Sequence, residues 1–172
     1  MQRYLPAFLL ILLGISTRLL PHPANFAPIA AIALFSGIYL PRKFAIFIPM
    51  ATMFVTDIVL GFYLWPVMLS VYATFALTGI IGLVIQKHKK LNTVLGGTLL
   101  ASILFFIITN WAVWAFGTMY PHNLNGLMQS YIAALPFFKN TLLGDLFYTG
   151  VLVGSMEIIL SLRTKQSNPV VL

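Results

Sequence analysis

The chain alternates between long apolar runs and short breaks that carry proline, charge or both. A helix needs about 20 apolar residues, within a range of roughly 17–25, to cross the hydrocarbon core of a bilayer. Runs of this kind occupy Tyr4–Leu20, after Gln2 and Arg3, and Phe44–Tyr63. Others are Val67–Gln86, set off by Trp65-Pro66, Thr93–Phe116, after Lys87-His88-Lys89-Lys90, and Asn140–Leu162, before Arg163 and Lys165. A shorter run, Phe26–Leu40, lies between Pro23 and Pro28 on one side and Pro41 on the other, and is counted as a crossing. Gly126–Phe138 has 13 residues, a rise of about 20 Å as a helix, which is too little to span. It is expected to form a short interfacial or re-entrant segment, closed by Pro136, before the last helix. The pattern thus predicts an all-α membrane protein with six transmembrane helices, at about residues 4–20, 26–40, 44–63, 67–86, 93–116 and 140–162. No long linker, low-complexity tract or repeat divides residues 1–172, so a single integral membrane domain is expected.

The basic residues agree with that count. Six crossings place Arg18 and Lys139 on one side, and Arg3, Arg42, Lys43, Lys87, Lys89, Lys90, Arg163 and Lys165 on the other. Eight against two is a positive-inside bias that puts both termini in the cytoplasm. The first run is expected to be a retained helix rather than a secretory signal. Gly14, Ser16, Thr17 and Arg18 lie near its end, and no convincing small-x-small cleavage site follows.

Composition narrows the class further. Apolar residues make up 60% of the 172 and charged residues 8%, against roughly 25% charged in an average soluble protein. So few charges cannot wet the surface of a soluble enzyme, and the run structure excludes a disordered tail. The net charge of +7 reflects membrane orientation rather than nucleic-acid binding. With no cysteine in the chain, disulfides, thiol catalysis and cysteine metal sites are excluded.

Ionisable residues inside a span are costly and face the bundle interior, a wet cavity or a partner. On the expected boundaries Asp57 lies six residues before the outer end of the third helix, about 9 Å, and Asn110 lies at a similar depth on the fifth. Asp145 lies five residues into the last helix, which Asn140 and Thr141 begin, with Lys139 just before it. Arg18 ends the first helix. All fall in the outer third, and the inner half holds only Glu157, within two turns of Arg163 and Lys165. Such asymmetry is expected of a pocket that opens outward. Thr141, Asp145, Tyr148 and Leu152 share one helix face, with Thr149 beside them, and Asn110 stacks with Trp114. A carboxylate, an amide, a hydroxyl and an indole from two helices fit an apolar ligand site with a few fixed polar groups. Structural readings stand beside these. Asp145 could pair with Lys139 or Arg18, and Asp57 could serve a tightly packed helix with Thr56 and Gly61. Trp114 and Tyr120 could be interface anchors, and Gly79-Gly82 and Gly96-Gly97 read as close helix packing.

No catalytic constellation is visible. His22 and His122 each stand alone in an external connection, and His88 sits in the basic cluster, so no metal site is expected. There is no Gly-x-Ser-x-Gly with a paired histidine and no phosphate-binding loop. The expectation is a protein that is not an enzyme, has no cofactor and cannot itself use ATP.

Three stretches carry a resemblance: Arg18-Leu-Leu-Pro-His-Pro-Ala-Asn-Phe-Ala-Pro-Ile-Ala-Ala, Thr109-Asn-Trp-Ala-Val-Trp-Ala-Phe-Gly, and Tyr131-Ile-Ala-Ala-Leu-Pro-Phe-Phe-Lys-Asn-Thr-Leu-Leu-Gly-Asp-Leu-Phe-Tyr. Over nearly its whole length the chain resembles a family of small, uncharacterised six-helix bacterial membrane proteins described as transport proteins. That family in turn looks similar to the S components, the substrate-binding subunits, of energy-coupling factor (ECF) transporters. The resemblance implies six helices, cytoplasmic termini and a pocket on the external side, in a bacterial cytoplasmic (inner) membrane. It also implies docking on an ECF-type transmembrane coupling subunit, with its ATPases, through small residues of the first helix. Here Gly14 is the comparable residue of that helix, while Ala27, Ala31, Ala33 and Gly37 carry small-residue spacing on the second. Nickel/cobalt members have a histidine where this chain has Gln2, which disfavours metal uptake.

The expected function is capture of a small organic solute from outside the membrane, with lipid and that solute as partners. The expected binding residues are Arg18, Asn25, Asn110, Trp111, Trp114, Tyr131, Lys139, Asn140, Asp145 and Tyr148. Two alternatives remain open: a stand-alone carrier or channel with Asp57 or Asp145 proton-linked, and a membrane assembly or structural protein.

Overall fold

The structure, a computed structural model, describes residues 5–167, with side chains described for residues 5–162. Gln2 and Arg3 lie outside the described residues, as do the side chains of Arg163 and Lys165. The described chain is all-helical: α1 spans Leu5–Leu19, α2 Ile29–Tyr39, α3 Arg42–Leu60, α4 Trp65–Gln86, α5 Leu91–Phe116 and α6 Leu124–Ser167. Four helices are long and apolar enough to cross a membrane: α3, α4, α5 and the Leu124–Leu162 part of α6. The other two, α1 and α2, are shorter apolar helices.

The bundle is built around its shortest member. Every residue of α2 from Ile29 to Ile38 is buried, as befits a helix that is hydrophobic all round. Its 11 residues rise about 16 Å, roughly half the hydrocarbon thickness. The irregular stretch over residues 20–28 leads into it. The α2–α4 contact is backbone on backbone: a Cβ added to Gly37 would lie 2.3 Å from the Gly79 carbonyl oxygen and 2.8 Å from the Gly82 Cα. A Cβ on Gly79 would lie 2.1 Å from the Ala45 oxygen of α3. The small residues of α2 therefore serve packing within the chain. Ala31 and Ala33 are fully buried with Gly37 inside the bundle. Gly14 also faces inward, with room for a Cβ only 2.5 Å from the Thr52 Cγ2 of α3.

Polarity in this fold is inverted. On α3 the buried stripe is Phe44, Ala45, Ile48, Pro49, Thr52, Met53, Thr56 and Asp57, while Phe47, Phe54, Ile58 and Val59 point outward. Buried hydroxyls recur on α2, α4 and α5, each donating to a carbonyl of its own helix: Ser36 to Ile32 at 2.7 Å, Thr78 to Thr74 at 2.8 Å, Thr98 to Val94 at 3.0 Å. Local bonding of this kind lets a polar side chain be buried without losing its hydrogen bond. An apolar exterior around a hydroxyl-lined interior is what a lipid environment favours.

Several expected boundaries change, and α2 begins at Ile29 rather than Phe26. Helix α3 stops at Leu60 rather than Tyr63, because Gly61 adopts φ +95°, a left-handed conformation that costs a glycine little. Gly126–Phe138 is not a separate interfacial or re-entrant segment but the first part of α6, which continues through Pro136. Proline removes one N–H from a helix and crowds the preceding turn, and α3 likewise continues through Pro49. A single internal proline inside an apolar bundle therefore did not end either helix. The consequence is positional: Asp145 stands 21 residues from the start of α6 instead of five.

The two ends of the bundle differ. At one end Tyr39, which closes α2, donates to Glu157 of α6, and Lys89 between α4 and α5 pairs with the same carboxylate at 2.5 Å. At the other end stand Arg18 of α1, Thr56 and Asp57 of α3, and the α3–α4 connection.

Candidate functional site

A cavity of about 310 Å³ opens at the second end. Its rim carries His22 and Asn25, both exposed, and Tyr63. Its walls and floor include Ala30 of α2, Met53 of α3, Phe75 of α4, Phe105 of α5, and Thr141 and Asp145 of α6. The irregular residues 20–28 form one wall because α2 starts late. Within them Asn25 has φ 61°, a left-handed backbone that asparagine tolerates better than most residues. Positions held in such conformations cluster at binding sites.

Two buried acids flank the cavity, with different partners. Asp57 is 1% exposed and meets the Arg18 Nη2 through Oδ1 at 2.7 Å. Its Oδ2 accepts the Tyr72 hydroxyl at 2.8 Å. The Arg18 Nη1 donates to the Thr56 hydroxyl and, at 3.3 Å, to the Met53 carbonyl. Both carboxylate oxygens and both terminal guanidinium nitrogens are engaged, so the charge is held inside the pair. Asp145 is 3% exposed, and its Oδ2 accepts the Ser102 hydroxyl at 2.7 Å. The ion pairs among the described residues, Arg18–Asp57 and Lys89–Glu157, do not include it. The alternative reading in which Asp145 pairs with Arg18 or Lys139 is therefore not met, and Asp57 takes Arg18 instead. Ser102 lies near the middle of α5, so Asp145 sits at mid-helix depth rather than in the outer third.

Hydrogen-bond roles at the rim follow from the same geometry. The Nδ1 of His22 lies 2.7 Å from the Leu20 carbonyl, which only accepts, so Nδ1 carries the proton. Tyr63, beyond the end of α3, has its phenol pushed up to about 12, by burial first and by the Asp57 charge second, with Arg18 opposing. It stays a neutral hydroxyl at physiological pH.

Of the residues expected to bind ligand, Arg18, Asn25 and Asp145 line this cavity. Asn110 lines a smaller one of about 100 Å³ that shares Asn25, Phe105 and Thr141 with it, although its side-chain amide donates to the Phe106 carbonyl at 2.7 Å. The others lie outside both cavities. Trp111 is exposed and meets Phe116 edge to face. Trp114 donates to the Pro121 carbonyl at 3.1 Å, and Tyr131 to the Ile107 carbonyl at 2.9 Å. Asn140 donates to the Ala24 carbonyl at 3.0 Å, which ties α6 to the wall over residues 20–28. Tyr148 packs its ring 5.6 Å from Phe26, and Lys139 is exposed.

Ser102, Tyr72, Phe75 and Phe105 were not anticipated. Thr98, Ser102, Phe105 and Thr109 recur on α5 at the 4-3-4 spacing that singled out Thr141, Asp145 and Tyr148 on α6. The stripe facing Asp145 was therefore readable. A third cavity, of about 360 Å³, lies at the opposite end beside Gly150, Val153 and Gly154, with Lys89 and Glu157 among its lining. No cluster of three or more His, Asp or Glu able to hold a metal occurs among the described residues.

A family model covers residues 1–168 of the chain. The chain belongs to DUF6580, a family of unknown function. Searches of curated proteins and of solved structures give no match to it. The family match extends over all six helices and therefore over every residue of the cavity.

Proposed function

We propose that this protein is a multi-pass protein of the bacterial cytoplasmic membrane that captures a small organic solute from the external side. The observation that carries this reading is the 310 Å³ cavity at the Arg18–Asp57 end, apolar in most of its lining and furnished with Asn25, Thr141 and Asp145. That volume lies at the lower end of the range for small-molecule sites, and such linings place a few polar groups in an apolar wall. Six crossings with cytoplasmic termini fit the ends of the bundle, because Lys89 and the Tyr39 end of α2 meet at Glu157. The second crossing combines the half-length α2 with irregular residues 20–28, a form tolerated at membrane depth where it lines a cavity.

Inward movement of the solute would need an energy source. The sequence carries no phosphate-binding loop, so a coupling subunit and ATPases of the ECF type are the partners this reading favours. A second reading, a proton-linked carrier, is favoured by one observation: Asp145 is a buried acid without a basic partner among the described residues. Uptake by the protein alone that collapses with an uncoupler would establish it. The first reading is tested by mass spectrometry of small molecules released from the purified protein. A compound bound to wild type and absent from Ala30→Trp supports capture in the cavity, and identical extracts from the two contradict it.

A further inference from the structure

The cavity as a solute site leaves the chemistry of the solute open, and the two buried acids settle it. Both terminal nitrogens of Arg18 already have partners within the fold: Nη2 is on Asp57, and Nη1 is on Thr56 and the Met53 carbonyl. An anionic ligand at Arg18 would compete with Asp57 for the guanidinium and add a second negative charge beside that buried acid. Asp145 is the converse case. Ser102 occupies Oδ2, and among the described residues no donor or cation reaches Oδ1. With the Arg18–Asp57 pair neutral overall, Asp145 in its ionised form gives the cavity one excess negative charge. A buried carboxylate is costly until a hydrogen-bonding cation joins it. Beside it the rings of Phe75 and Phe105 lie 5.3 Å apart, centroid to centroid, at 31°, and both line the cavity. Aromatic faces attract cations and pack flat apolar bodies.

We infer that the cavity takes a small organic cation, a protonated amine or amidine on a flat apolar body. Its nitrogen meets Asp145 Oδ1 and its body lies against Phe75 and Phe105. This rests on the cavity being a solute site, and it gives Arg18 to Asp57 rather than to the solute.

The test uses the full-length protein in nanodiscs with triplets of equal shape and different charge. These are tryptamine, tryptophol and indole-3-acetate, then benzylamine, benzyl alcohol and benzoate. Binding is read by thermal unfolding and equilibrium dialysis. The amine of at least one triplet should bind about ten- to a hundredfold tighter than its alcohol, as one charge-assisted hydrogen bond provides. Asp145→Asn should erase that preference, while Lys139→Ala keeps it. Binding of an acid or alcohol as tightly as its amine, if lost in Ala30→Trp, overturns the cation assignment and keeps the cavity as a site. Amine binding that survives Asp145→Asn overturns the role of Asp145. If no triplet member binds, or binding survives Ala30→Trp, the cavity reading itself fails.

Discussion

Arg18 and Asp57 stand 2.7 Å apart, joining the last turn of α1 to the last turn of α3 across the head of the cavity. Asp57 is 1% exposed and the Arg18 side chain 18%, so the pair is nearly desolvated and each member depends on the other. Removing one partner of such a pair costs about 3–5 kcal/mol, whereas replacing both with apolar residues is often close to neutral. Arg18→Met and Asp57→Leu should each lower the unfolding midpoint markedly, and the double variant should recover most of the loss. Additive losses in a double-mutant cycle, read by thermal unfolding in one detergent, would show that the pair contributes nothing as a pair.

A comparable contrast holds for the glycines. Gly37 and Gly82 let α2 and α4 touch backbone to backbone, since a Cβ at either would fall within 2.4 Å of a carbonyl oxygen. Gly37→Ala and Gly82→Ala should each destabilise by about 1–3 kcal/mol, the usual cost of overpacking. Gly96 has nothing within 4 Å of its added Cβ. Gly96→Ala should be neutral, or stabilising by up to about 1 kcal/mol through helix propensity. Equal behaviour of the three variants would contradict the close α2–α4 contact.

Ser102 and Ser36 offer a matched pair of buried hydroxyls. Ser36 bonds within its own helix to Ile32, whereas Ser102 bridges α5 to the Asp145 carboxylate of α6. Ser102→Ala leaves Oδ2 of a buried acid without its donor and should cost about 1–3 kcal/mol. Ser36→Ala should cost less, because the carbonyl it releases remains in the helix ladder. Unfolding midpoints in matched lipid nanodiscs decide the order.

Topology can be checked on a clean background because the chain has no cysteine. In intact cells, Phe62→Cys and His122→Cys should react with a membrane-impermeant maleimide. His88→Cys, in the Lys87–Lys90 connection, should react only after permeabilisation. External labelling at His88→Cys would invert the orientation or change the number of crossings.

Much of this architecture was legible in residue order. Apolar runs and proline breaks located six helices, and the charge asymmetry between Arg18 and the Lys87–Lys90 cluster anticipated two unlike ends. What residue order could not give was depth and partnership. Pro136 reads locally as a stop, but helix continuation depends on what surrounds the crowded turn, and that is tertiary information. Moving the start of α6 to Leu124 placed Asp145 opposite Ser102 rather than near the outer end. Arg18 and Asp57 are 39 residues apart, and nothing local to either indicates which of two acids the guanidinium will choose. Trp111, Trp114 and Tyr131 drew attention as aromatic residues near polar ones, yet Trp114 and Tyr131 spend their polar groups on carbonyls nearby and Trp111 faces outward. The cavity was furnished instead by α2 starting late and leaving residues 20–28 as its wall.

The proposed cavity opens outward and carries, in Asp145, an acid with one oxygen on Ser102 and no basic partner among the described residues. Ala30→Cys puts a thiol on its wall, and intact cells can be treated with two methanethiosulfonates of similar size, one cationic and one anionic. External modification that is faster with the cationic reagent, with that preference lost in Ala30→Cys/Asp145→Asn, is the predicted result. A thiol that neither reagent reaches from outside, or that the anionic reagent modifies faster, contradicts it.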